Sequence, residues 1–205
     1  MNNSSFVNMG RVTWAALRML LVLTVVTGIV YPLVVTGIGQ AAFHDKANGS
    51  IVKADGKEIG SKLIGQSWNL PGTDEPDPKF FQGRPSNSGY DPLATGSSQL
   101  GASDPTLVKN VKAVKKQVAA FNGVPESKVP ADAVTGSASA IDPHISPEYA
   151  DIQVGRVAEA NGLSVAEVRE LVDNHTDGRT LGFMGEPHVN VLELNLALRD
   201  LAAKQ

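Results

Sequence analysis

Twenty-five consecutive residues, Met19 to Phe43, carry no charge. The densest part, Met19 to Val35, reads MLLVLTVVTGIVYPLVV and is apolar on every face of a helix, which a buried helix of a soluble domain rarely is. A helix rises about 1.5 Å per residue, so roughly 20 residues cross the hydrocarbon core. The pattern predicts one transmembrane helix over 12–43, after a short N-terminal segment 1–11. A cleaved signal peptide has a shorter apolar run and an A-x-A-like site, whereas GIGQAAFHD after this run offers no such site. Gly37 to Ala42 fits the letters of a G-x-G-x-x-A dinucleotide turn, but it ends a span rather than following a strand. Arg11 and Arg18 precede the span, and Asp45 and Lys46 follow it. The positive-inside rule then puts 1–11 in the cytoplasm and 44–205 outside it. Pro32 has no N–H for the Gly28 carbonyl, which predicts a kink. Thr24, Gly28 and Pro32 recur every four residues and form a candidate helix-packing face, because small residues let a second helix approach.

Beyond the span the polar and apolar positions change period. Ser50 to Lys57 reads as a hairpin turning at Asp55-Gly56. Ser61 to Trp68 is a second strand candidate. Residues 69–101 are rich in Pro, Gly, Ser, Asn and Asp and read as a long loop. Ser103-Asp104-Pro105 offers a cap and a first-turn Pro for a helix to about Asn122, stopped by Gly123, with Leu107, Val111, Val114 and Val118 on one face. Its lysines, Lys109, Lys112, Lys115 and Lys116, read as a solvated face. Residues 124–145 are a second loop containing Val129-Pro130-Ala131-Asp132. Ser146-Pro147-Glu148 caps a helix to Asn161, ended by Gly162, and Ser164 with Glu167 forms a capping box for a helix to Asn174. Leu181 to Phe183 is a short strand candidate, and Asn190 to Ala203 a final helix with Val191, Leu194, Leu198 and Leu201 as its stripe. The fold class is α+β: one transmembrane helix plus one extracytoplasmic mixed domain with several helices and a small sheet.

Charge sharpens this division. The first 43 residues hold two arginines and no acid, which leaves 16 of the 18 bases against all 21 acids, a net charge of −5 for 44–205. Phosphate contacts need clustered Lys and Arg, so nucleic acid is not an expected partner. The chain has no cysteine, which excludes thiol catalysis, Cys-ligated metal and disulfides. There is no phosphate loop, Asp-Lys-Thr-Gly, G-x-S-x-G or H-E-x-x-H string. His44, His144, His175 and His188 lack metal-ligand spacing, so no metal site is expected. Asp142-Pro143-His144-Ile145-Ser146-Pro147 is the most unusual local string. Its Asp142, His144 and Ser146 read either as a docking loop or as a rigid lead into the next helix. Arg84 in Gly83-Arg84-Pro85-Ser86 either anchors a partner or closes an internal salt bridge. From these residues alone the chain is an anchored extracytoplasmic binding module, or an enzyme without recognisable machinery.

Several ordered strings resemble one family, the C subunit (KdpC) of the Kdp-type high-affinity potassium-transporting ATPase. They are Tyr31 to Gln40 (YPLVVTGIGQ), Gly60 to Gln66 (GSKLIGQ), Phe81 to Ser86 (FQGRPS), Val129 to Thr135 (VPADAVT), Asp142 to Pro147 (DPHISP), Gln153 to Ala158 (QVGRVA), Leu181 to Phe183 (LGF), Gly185 to Pro187 (GEP) and Val189 to Asn195 (VNVLELN). Two departures stand out. Ser139-Ala140-Ile141 stands where the family usually reads Ser-Gly-Leu, and Gln99 where Asn is usual. The resemblance implies a single-pass, non-hydrolytic subunit in the cell (inner) membrane that holds together the ATPase (B) and potassium-path (A) subunits, with F as a further partner. It also implies a description as a catalytic chaperone that raises ATP affinity at B, with Gln153 as the matching glutamine and ATP as the implied nucleotide. A domain outside the cytoplasm has no access to cytoplasmic ATP, so the physical reading favours assembly.

Overall fold

A computed structural model describes residues 3–204, and the chain falls into two units that part between Ser50 and Ile51. The first unit is helical: α1 (Asn3–Val25), a π-helical segment (Val26–Val30), α2 (Tyr31–Ala42) and a short α3 (His44–Ala47). Asn8 to Ala42 is a continuous helical stretch of 35 residues, long and apolar enough to cross a membrane. A π-helical segment lies just before Pro32, where the sequence predicts a kink. The Tyr31 N–H reaches back five residues to the Val26 carbonyl, as a π turn requires. A π turn takes more residues than the 3.6 of an α turn, so residues four apart come closer to alignment along the axis. Thr24, Gly28 and Pro32 flank and occupy this segment and are all exposed, and nothing lies within 4 Å of where a Gly28 side chain would begin.

The second unit begins with a hairpin, β1 (Ile51–Ala54) and β2 (Lys57–Ser61), paired antiparallel with Ala54 opposite Lys57. Both turn residues have positive φ, 53° at Asp55 and 74° at Gly56, as the tight hairpin turn demands. Residues 61–68 do not form the expected strand, because their polar groups bond elsewhere. The Gly65 N–H donates to the Ile141 carbonyl at 2.8 Å, and Gln66 Nε2 donates to the Ile59 carbonyl at 2.9 Å.

Four longer helices follow: α4 (Pro105–Asn122), α5 (Pro147–Asn161), α6 (Val165–Asn174) and α7 (Val191–Ala202). Their ends follow local chemistry. The Asp104 carboxylate accepts from the Thr106 N–H, and Gly123 closes α4 in the left-handed region. Ser146 caps α5, with Pro147 in the first turn and Gly162 at the stop, and Ser164 and Glu167 form the reciprocal box of α6. The 124–145 stretch holds two 3₁₀ turns, Glu126–Lys128 and Ala131–Ala133.

A three-stranded antiparallel sheet, β3 (His144–Ile145), β5 (His188–Asn190) and β4 (Thr176–Asp177), runs in the order β3-β5-β4. The segment 181–183 is a turn rather than the expected strand. One face each of α5, α6 and α7 meets in the core with Phe81, Ile145 and Val189. Val154, Val157, Val168, Leu194 and Leu198 are essentially inaccessible there. Each large apolar side chain buried this way contributes about 1.5–3 kcal/mol.

Candidate functional site

The domain's polar interior is built around the segment 77–86, a turn at Pro78-Lys79 running on into irregular chain that pairs with side chains instead of a strand. Phe81 is fully buried, so both of its backbone polar groups need partners. Asn195, from the middle of α7, supplies both. Its Oδ1 accepts from the Phe81 N–H at 2.8 Å and its Nδ2 donates to the Phe81 carbonyl at 2.9 Å. Gln153, from α5, does the same for the next residue. Its Oε1 accepts from the Gln82 N–H at 2.7 Å and its Nε2 donates to the Gln82 carbonyl at 3.1 Å. Two amide side chains thus act as single-residue strand partners, from either side of one segment. Gln153 and Asn195 are themselves fully buried.

Arg156, one turn after Gln153, extends the arrangement. Its Nη1 donates to the carbonyls of Pro78 and Phe80, at 2.5 and 3.0 Å, and its Nη2 to Gln153 Oε1 at 2.9 Å. Its Nε donates to Asn122 Oδ1 on α4 at 2.9 Å, and its guanidinium lies 4.3 Å from the Phe121 ring centre. Burial lowers its pKa to about 10, which leaves it charged at neutral pH. The Gln82 side chain turns back to the Trp68 and Asp77 carbonyls at 2.8 and 3.1 Å.

Beyond Gln82 the segment meets the Asp142 string. Arg84 takes its internal option: Nη1 pairs with Asp142 Oδ2 at 3.0 Å, while Nε and Nη2 donate to the Thr135 carbonyl. Asp142 Oδ1 accepts from the His144 N–H at 3.0 Å, and His144 Nδ1 lies 3.5 Å from it. Burial alone would raise the Asp142 carboxyl. The side-chain and backbone bonds of His144 and the Arg84 charge outweigh it and hold the group below the usual carboxylate range. Tyr90 donates to the Arg84 carbonyl, and burial, with Asp142 nearby, pushes its hydroxyl up to about 12. Ser146 caps α5 through its Oγ, which accepts from the Tyr149 N–H. That same Oγ and the Ser146 N–H donate to the Asp132 carboxylate, at 2.9 and 2.7 Å.

Register brings a second histidine to this string. His144 opposes Asn190, so His188 sits diagonally on the same sheet face, and the two rings meet edge-on with centres 4.5 Å apart. Arg84, Asp132, Asp142, His144, Glu186 and His188 line an open groove of about 330 Å³. Among the described residues no three His, Cys, Asp or Glu side chains form a group that could hold a metal ion.

Residues 13–200 match the family model described as KdpC, K+-transporting ATPase, c chain. The chain belongs to the KdpC family. A Streptomyces avermitilis protein named potassium-transporting ATPase KdpC subunit is 54% identical to it over 98% of this chain and 99% of that protein. The protein of that name from Streptomyces coelicolor is 55% identical, over 98% of this chain and 97% of its own length. The one from Sorangium cellulosum is 50% identical, over 89% and 94%.

The KdpC-like strings of the sequence now have a physical content. Phe81 to Ser86 is the clamped segment, Gln153 to Ala158 brings Gln153 and Arg156, and Val189 to Asn195 brings Asn195. Val129 to Thr135 brings Asp132, which locks the Asp142 to Pro147 string in place. Of the candidate residues, Arg84, Asp142, His144 and Ser146 converge on one side of the domain, and Gln153 lies in the clamp. Thr24, Gly28 and Pro32 belong to the other unit. Sequence reasoning missed Gln82, Tyr90, Asp132, Arg156 and Asn195. Gln82, Asp132, Arg156 and Asn195 lie inside the quoted strings, which is the signal that could have found them.

Proposed function

We propose that this KdpC-family chain is the non-hydrolytic, membrane-anchored assembly subunit of an ATP-driven potassium uptake complex. It stabilises the coupling of the ATPase (B) and potassium-path (A) subunits, with F as a further partner. The observation that carries this reading is the four-residue spacing of Thr24, Gly28 and Pro32 along the helix at the π segment, a face on which small residues let a second helix approach closely. A solitary anchor has no use for such a face. The relatives' printed name, potassium-transporting ATPase KdpC subunit, supports the same assignment. In this reading 12–43 spans the cell membrane, 1–11 lies in the cytoplasm and 44–205 lies outside, because Arg11 lies before the span, Arg18 lies in its first turns, and the first acid, Asp45, comes after it.

The ATP-related role implied by the family is read here as indirect. Gln153 has both amide ends engaged by Gln82 and Arg156 and offers no free atom to a nucleotide. Any effect on ATP affinity at the B subunit then passes through assembly.

The Gly28→Leu variant tests the main reading. It fills the open face, so recovery of partner subunits with the tagged full chain falls while the amount of the chain itself does not. Recovery equal to wild type would sink the helix-face reading. For the nucleotide, equilibrium binding to the purified full chain is expected to show no specific ATP site. Specific binding that disappears in Gln153→Ala would overturn the indirect reading.

A further inference from the structure

The loop between β4 and β5 holds its shape apart from the core. Thr180 and Met184 exchange both backbone hydrogen bonds, at 2.9 and 3.0 Å, and an ion pair of 2.6 Å between Arg179 and Glu186 closes the neck. At its tip Leu181 is 78% exposed and Phe183 71% exposed. Leu181 also has a φ of 54°, in the left-handed region that bulky side chains rarely adopt. The isolated domain gains little from two large apolar groups in water on a strained turn. Strain of this kind persists where the surrounding structure imposes it, and it gathers at binding sites.

We propose that this tip is a preformed plug for an apolar cleft on another protein subunit, with Leu181 and Phe183 as its anchors and Arg179 and Glu186 at its rim. The proposal rests on the assembly reading above and names the contact by which the domain would take part in it. Charge selects protein over lipid as the occupant. Residues 177–188 hold Asp177, Arg179 and Glu186 and no lysine, a net charge of −1 with His188 neutral. An anionic bilayer surface attracts basic flanks and disfavours this loop, whereas a cleft with a neutral or basic rim complements it. Central aromatic and aliphatic anchors inside a polar rim are the arrangement that carries most binding energy at protein interfaces. A turn already closed by its own hydrogen bonds loses little freedom on docking.

The test uses the full chain in its native membrane. A photo-crosslinking phenylalanine analogue at position 183 is expected to yield an adduct with a different protein chain on irradiation. An adduct with lipid alone, an adduct with a second copy of this chain, or no adduct overturns the proposal. In parallel, the Leu181→Gly/Phe183→Ala double variant should recover partner subunits about tenfold less well, while Phe183→Leu, which keeps an apolar anchor, stays near wild type. The melting temperature of the double variant is expected to stay near that of the parent chain, so a loss of recovery reads docking rather than folding. Partners that copurify with the wild type and equally well with the double variant sink the tip and leave the assembly reading standing. Failure of the wild type itself to bring partners sinks the assembly reading first.

Discussion

In the segment 77–86, the backbone of Phe81 and Gln82 is met by side chains from two helices far away in sequence. In 178–186 the backbone meets itself, through Thr180 and Met184. Neither segment is a strand, and both are ordered. The first buries its apolar residue completely and commits its polar atoms to the interior. The second exposes Leu181 and Phe183 and takes nothing from the core. The contrast separates two uses of irregular chain. One ties helices α5 and α7 together, and the other presents a shaped surface. It also recasts Gln153, whose place in a family string suggests chemistry and whose bonds are those of a tie.

The largest effect expected from this contrast is at the tie. Asn195→Ala removes the donor and acceptor that serve Phe81, and Gln153→Ala removes those that serve Gln82. Each orphaned buried group costs about 1–3 kcal/mol, so each variant, with two of them, loses about 2–6 kcal/mol, or about 4–24 °C in melting temperature. Gln153→Glu keeps the acceptors for the Gln82 N–H and Arg156 but sets a carboxylate oxygen against the Gln82 carbonyl in a fully buried site, so it too melts below wild type. Thermal unfolding of the full chain in detergent ranks the four. A Gln153→Ala chain that melts with wild type would mean that the two amides do not hold the segment.

A smaller effect comes from acid, and it again touches only the tied side. The Asp142 pKa is depressed in the folded chain by His144 and Arg84 working against burial. A depressed carboxyl contributes stability above its unfolded value of about 3.9 and loses it as pH falls through the folded value. The melting temperature should therefore fall as pH drops below about 4, by more in wild type than in Asp142→Asn, which has no charge to lose. Parallel curves for the two would detach Asp142 from acid stability.

The parts of this fold that were legible in the sequence are those whose cause is local. Asp104 with Pro105, Ser146 with Pro147, Ser164 with Glu167, and the stops Gly123 and Gly162 act within one helical turn, and each lies where the pattern put it. Asp55-Gly56 fixed the hairpin turn for the same reason. The strand expected over 61–68 failed because Gly65 and Gln66 spend their polar groups on Ile141 and Ile59, which no period reveals. The sheet of β3, β4 and β5 has strands of two or three residues, too short to show alternation. The clamp joins positions 71 and 114 residues apart. An isolated sequence holds no trace of that pairing beyond the family strings in which both partners sit. Arg84 is an intermediate case: its two options were visible, and only the position of Asp142 in space decides between them.

The smallest expected effect concerns strain, and it tests the contrast from the other side. Leu181 and Ala140 are both in the left-handed region, with φ of 54° and 63°. The resemblance to KdpC chains puts Ala140 where Gly is expected. Gln99, where Asn is usual, has a φ of 54° as well, so both departures fall on backbone that favours the residue they replace. Replacing such a residue by Gly removes strain of roughly 1–2 kcal/mol and gives back about 0.5–1 kcal/mol through the freer unfolded chain. For the exposed Leu181 little burial is lost, so Leu181→Gly should raise stability slightly, by up to about 1.5 kcal/mol. Ala140 is almost fully buried, and losing its methyl costs about 0.8 kcal/mol, so Ala140→Gly should be close to neutral. Denaturant midpoints of the two variants read the difference directly. A clear loss of stability in Leu181→Gly would mean that the Leu181 side chain holds the loop to the domain, and the tip would then be one more tied segment.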